Sequence, residues 1–71
     1  MKTIDICGIT RYSPLIPAMK AIFTAGKGEK LELIMDDIET FGDLKTFLSE
    51  EGTGFREIYD NDRRILQFTV E

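Results

Sequence analysis

The sequence predicts an α/β two-layer sandwich, in which two helices cover one face of a four-stranded mixed sheet. Apolar and polar residues alternate in four short stretches, which is the period of half-buried strands. Two longer stretches carry apolar residues at helical spacing. Their chain order is βαβαββ, which packs as two helices over one sheet face. At 71 residues the chain is expected to form a single domain, residues 1–71.

The first strand is predicted at Met1–Cys7, and the turn at Gly8 leads from it towards a helix over Pro14–Ala25. Ser13 before Pro14 is a strong helix opening, because a hydroxyl caps free N–H groups and proline suits the first helical position. Five apolar residues are predicted to share the buried face of this helix: Leu15, Ile16, Met19, Ile22 and Phe23.

The remaining elements follow from the same two periods. Alternation predicts a second strand at Lys30–Met35, and a helix over Ile38–Glu50 follows with Asp37 as its N-cap. Two further strands are predicted at Phe55–Tyr59 and Arg64–Val70, joined by a turn rich in Asp and Asn. All five phenylalanines are expected in the core: Phe23, Phe41, Phe47, Phe55 and Phe68.

The predicted site lies beyond the carboxyl ends of the first two strands. A strand–helix–strand unit of this length is almost always parallel, so both carboxyl ends lie at one sheet edge. That edge is expected to bring Cys7 and the turn Gly8–Tyr12 near Asp36 and Asp37. Ligands of open α/β sheets usually bind there.

Composition excludes several classes of function. The chain has one cysteine and no histidine, so it cannot form an internal disulfide, a Cys/His metal cluster or a histidine-based catalytic site. The net charge of −4 disfavours bare nucleic acid as a partner and favours a basic protein surface. No segment approaches a membrane span. A cytoplasmic protein without metal or cofactor is expected.

Several motifs carry a resemblance to a known family. Asp5, Gly8 and Pro14 fit Asp-x-x-Gly-x-x-Cys-Pro-x-Pro, and the helix continues into Lys20-Ala21-Ile22. Later matches extend along nearly the whole chain: Gly28-Glu29-Lys30-Leu31, Asp36-Asp37, Asp43-Leu44, Phe47 and Thr53-Gly54. With these residues the sequence resembles the small sulfur-carrier proteins of the TusA/SirA type, a resemblance that implies the same βαβαββ architecture.

The chain departs from this family at one pair of positions. Arg11 and Tyr12 stand where the family has Cys-Pro, so the cysteine that would carry a persulfide is missing. Members of the family accept sulfur from cysteine desulfurases and pass it on for tRNA thiolation or sulfur metabolism. The resemblance therefore implies a non-catalytic binding or regulatory member of a sulfur relay. Its expected partner is a cysteine desulfurase or another relay protein, and its expected binding residues are Gly8, Arg11, Tyr12, Ser13, Pro14, Asp36 and Asp37.

Two other functions stay open at this point. Cys7 would serve as a displaced persulfide site if this chain is itself a sulfur carrier, although most free cysteines are simply small apolar residues. Arg11 beside free helix N–H groups would make a small anion-binding module. The plainer interpretation of Arg11 is a solvated side chain or an exposed ion pair with Asp36 or Asp37.

Overall fold

The computed structural model describes all 71 residues, Met1–Glu71. Six elements follow in the predicted order: β1 (Lys2–Asp5), α1 (Leu15–Thr24), β2 (Lys30–Met35), α2 (Ile38–Glu50), β3 (Phe55–Asp60) and β4 (Arg63–Thr69). The predicted bounds of β2 and α2 are confirmed, and those of β3 and β4 move by one residue. Regular pairing of β1 ends before Cys7, although the N–H of Ile6 still donates to the carbonyl of Ile34 at 2.8 Å.

The sheet has the strand order β1-β2-β4-β3, which confirms the predicted mixed sheet. β1 pairs with β2 in parallel, and β4 runs antiparallel to both of its neighbours. One row of the register aligns Ile4, Leu33 and Leu66 across the first three strands of the sheet. The side chains on this face form the core with both helices: Ile6, Ala18, Leu31, Leu33, Met35, Phe41, Leu44, Leu48, Leu66 and Phe68.

The buried face of α1 differs from the predicted one. Ile16 is 59% exposed and Phe23 is 71% exposed, whereas Ala18 is fully buried. Each residue advances about 100° around a helix. Ile16 and Phe23 therefore lie on the solvent side of the half-buried residues that precede them, Leu15 and Ile22. The expectation that Ile16 and Phe23 belong to the core is wrong.

The other four phenylalanines do contribute to the core. Phe41 and Phe68 are buried, and Phe47 and Phe55 pack against the core while partly exposed. Phe23 contacts Phe47 edge to face, with ring centroids 6.1 Å apart. Phe23 therefore lies beside the core without being enclosed by it.

The ends of α2 are fixed by local hydrogen bonds. Asp37 accepts from the N–H of Glu39 at 3.3 Å and from the hydroxyl of Thr40 at 2.5 Å, which confirms it as the N-cap. At the other end Gly52 takes a positive φ of 74°, and the N–H of Thr53 donates to the carbonyl of Leu48 at 2.9 Å. This is the usual glycine-based closure of a helix C-terminus.

Two truncations test which side chains hold the fold. We expect Leu66→Ala to lower the free energy of unfolding by about 2–5 kcal/mol, because it opens a cavity in the core. Phe23→Ala should cost about 1 kcal/mol or less, since most of that ring is already in water. Urea unfolding followed by circular dichroism measures both. A cost for Phe23→Ala equal to that of Leu66→Ala would contradict the observed orientation of α1.

Candidate functional site

The carboxyl ends of β1 and β2 meet at one edge of the sheet, as predicted. Gly8 takes a positive φ of 75°, and its N–H donates to Oδ2 of Asp36 at 3.1 Å. The N–H of Cys7 donates to Oδ1 of Asp5 at 2.9 Å. The two bonds tie the turn after β1 to its own strand and to the end of β2. Cys7, Gly8 and Asp36 are thus brought together.

Ser13 and Pro14 form the start of α1. The hydroxyl oxygen of Ser13 accepts from the N–H of Leu15 at 3.2 Å, and its carbonyl accepts from the N–H of Ile16 at 3.0 Å. Pro14 already has helical dihedral angles, φ −58° and ψ −19°, although the regular helix begins one residue later. Proline has no N–H to leave unpaired at this position. These two residues therefore fix the point at which the loop enters α1.

Arg11 and Tyr12 project from the loop between Gly8 and Ser13. Both side chains are exposed, Tyr12 by 53%. The one salt bridge of the chain joins Lys45 to Glu57, so Arg11 pairs with neither Asp36 nor Asp37. Residues 8–12 line a shallow depression of about 250 Å³. The guanidinium group is consequently available to an external anion or carboxylate.

The two aspartates after β2 have different tasks. Asp36 holds the Gly8 turn, whereas Asp37 caps α2 with both of its oxygens. The hydrogen bond from the Thr40 hydroxyl is the main cause that lowers the pKa of Asp37, and it outweighs the opposing effect of burial. Asp37 therefore stays ionised as a cap rather than acting as an acid or base. No three His, Cys, Asp or Glu side chains converge to hold a metal ion.

Cys7 lies half-buried at the same edge. Its pKa is raised to about 11, first by burial, then by a hydrogen bond to Asp5 and by the negative charges of Asp5 and Asp36. The positive charge of Arg63, at the start of β4, opposes this rise of the pKa. Because the thiolate is the nucleophilic form, a thiol with this pKa is almost wholly unreactive near pH 7.

Two residues that shape the site had no predicted role in it. Asp5 fits the motif, but its bond to the backbone after β1 follows from the turn and not from periodicity. Arg63 comes from the far end of the chain and reaches this edge because β4 pairs with β2, which sets its neighbour Arg64 opposite Met35. A sequence signal exists only for Asp5, as a short polar side chain before a glycine turn.

Comparison with known proteins supports the fold that carries these residues. The family model described as sulfurtransferase TusA matches residues 2–71. The crystal structure of the SirA-like protein from Desulfitobacterium hafniense has a TM-score of 0.75 and 22% sequence identity, covering 97% of this chain and 96% of that chain. At this identity the likeness shows the fold alone.

No curated protein gives a significant match. No helix has the length and apolar character that crossing a membrane requires.

The raised pKa of Cys7 predicts slow alkylation by iodoacetamide. The rate should climb about tenfold per pH unit from pH 7 to 9 without reaching a plateau, because the thiolate fraction is still rising. Asp5→Asn removes one negative charge beside Cys7 and should lower the pKa of its thiol. Cys7 in this variant should therefore be alkylated faster at pH 8. Mass spectrometry of timed samples measures both rates. A plateau below pH 9 in the unchanged chain would contradict the described surroundings of Cys7.

Proposed function

This chain belongs to the TusA sulfurtransferase family, and we propose that it is a binding member of a sulfur relay that carries no sulfur itself. One observation carries the proposal. The family match extends over residues 2–71, yet the position that corresponds to the family's persulfide cysteine is Arg11. An arginine side chain has no atom that can accept sulfur. What such a position retains is the ability to recognise a partner.

The chemistry of the loop suits recognition of a carboxylate or another anion. A thiolate before a helix is stabilised by the free N–H groups and the positive end of the helix dipole. Arg11 places a cation where the family has that anion. Its guanidinium group has no partner within the chain. A guanidinium group binds carboxylates through paired hydrogen bonds. The proposed role of this position is thus to bind an anion supplied by the partner.

The proposed binding surface divides into contacting and positioning residues. Arg11 and Tyr12 are exposed and would contact the partner. Four residues would hold the loop in place through the turn and the start of α1: Gly8, Ser13, Pro14 and Asp36. Asp37, the remaining expected binding residue, caps α2 and would border the surface. The proposed partner is a cysteine desulfurase or another sulfur-relay protein, because that is the context of the family. The net charge of −4 suits a partner with a largely basic surface.

A sulfur carrier that uses Cys7 is the alternative within the same family. Cys7 lies at the same sheet edge and is partly accessible, which would allow a donor to approach. Its pKa of about 11 weighs against this role, because the thiolate must attack the donor's persulfide. The next experiment separates the two proposals directly.

Incubation with a cysteine desulfurase, cysteine and pyridoxal phosphate, without reductant, tests sulfur loading. We expect the intact mass of the unchanged chain to stay constant. Arg11→Cys should gain one sulfur atom, since its thiolate would attack the terminal sulfur of the donor persulfide and release the donor's cysteine thiolate. The double variant Arg11→Cys with Cys7→Ala should gain the same sulfur and serves as the control. A gain in the unchanged chain that Cys7→Ala abolishes would replace the proposal by the Cys7 carrier.

Binding is measured separately, with the same desulfurase immobilised for interferometry. Arg11→Glu should weaken binding at least about tenfold, which is the scale of an interface anchor. Cys7→Ala should leave it unchanged. Equal binding by the unchanged chain and by Arg11→Glu would exclude the loop as the contact surface for this partner.

The free guanidinium also supports a third possibility, a small anion-binding module. Arg11 borders the depression formed by residues 8–12 and has no carboxylate partner. Titration with sulfate, phosphate and a thiosulfonate tests this function. If Arg11→Ala retained the affinity of the unchanged chain for these anions, the module would be excluded.

A further inference from the structure

A second surface lies at the opposite end of the helices from the Gly8–Tyr12 loop. α1 and α2 follow the parallel strands β1 and β2, so their last turns end at the same edge of the molecule. Between these turns a groove of about 250 Å³ opens to solvent. Its apolar lining, called the helix-end groove below, includes Ile22, Phe23, Phe47, Leu48, Phe68 and Val70.

Phe23 is the most exposed member of this lining. It is 71% exposed, and its ring meets Phe47 edge to face at an interplanar angle of 81°. Core packing does not account for it, because the core-facing positions of α1 are Ala18 and its half-buried neighbours. Exposed aromatic rings beside a pocket are typical anchors of protein interfaces.

The rim of the groove is negative. Glu51 and Glu71 line it, and neither forms a salt bridge. The carbonyl ends of both helices add partial negative charge, and neither helix has a basic residue in its last turn. A cation beside an apolar group is therefore the electrostatic complement of this groove.

We infer that the helix-end groove docks a segment of a partner protein in which an aromatic or large aliphatic side chain lies beside lysine or arginine. Pockets for small molecules usually measure about 300–1,000 Å³, whereas the groove has room for one or two anchoring side chains. The acidic rim disfavours nucleic acid and anionic lipid. The surface is separate from the Gly8–Tyr12 loop, so one molecule can contact two partners at once.

Phage display tests this inference. The whole chain serves as bait for a library of random linear peptides. We expect enriched peptides that place lysine or arginine within one or two positions of a large apolar residue. A fluorescein-labelled copy of one such peptide should bind in fluorescence anisotropy. Phe23→Ser and Glu51→Lys should each weaken this binding at least about tenfold. Lysine also suits a helix C-terminus, so Glu51→Lys is expected to keep its fold.

Matched control variants distinguish binding in the groove from nonspecific binding of the peptide. Ile16→Ser changes an apolar residue of α1 that is 59% exposed at the other end of the helix, and Asp62→Lys changes an acidic residue of the hairpin turn. Both should bind the peptide like the unchanged chain. Urea unfolding confirms that each variant is folded.

Four outcomes would overturn the inference. The enriched peptides could lack the basic-apolar pattern, or Phe23→Ser and Glu51→Lys could bind the peptide as tightly as the unchanged chain. Arg11→Glu could lose peptide binding. Finally, the chain could associate with itself through the groove. In the last case, sedimentation would show the unchanged chain forming oligomers that Phe23→Ser abolishes, so that a second copy fills the groove. If the groove does not bind such peptides, the result of the sulfur-loading experiment still stands, because that experiment concerns the other end of the molecule.

Discussion

Burial of one apolar sheet face is the constraint on which the arrangement of the chain depends. Leu31, Leu33 and Leu66 lie in the two central strands and are completely enclosed. Both helices must cover this face, and each one returns from the carboxyl end of β1 or β2. Because these strands are parallel, the helices run in the same direction. Their free N–H ends collect at one edge of the molecule, and their carbonyl ends collect at the opposite edge.

The elements that could be predicted are those in which local signals agree with this constraint. Leu31, Leu33 and Met35 alternate in β2, and a register slip would turn all three towards water. Asp37 supplies a cap, and Gly52 can take the positive φ at which α2 ends. The order of elements along the chain, the bounds of β2 and α2, and the shared edge of β1 and β2 follow from such signals.

The rotation of α1 could not be predicted in the same way. Its apolar residues spread over more than half of the helix circumference, so periodicity alone does not choose the buried side. The choice falls to packing, because Ala18 is small enough to let the helix approach the sheet. Ile16 and Phe23 are exposed as a result. Likewise, the raised pKa of Cys7 comes first from burial, which is set by tertiary structure and not by any local pattern.

The fold does not depend on the residue at position 11. Arg11 is exposed and forms neither a salt bridge nor a side-chain hydrogen bond. Gly8 is held by the carboxylate of Asp36, and Ser13 by the N–H of Leu15. A cation near the positive end of a helix costs little when water screens it. The scaffold of this loop therefore does not require any particular side chain at position 11. Under the proposed function, this independence of scaffold and chemistry would let the fold present a binding surface without a sulfur-carrying cysteine at position 11.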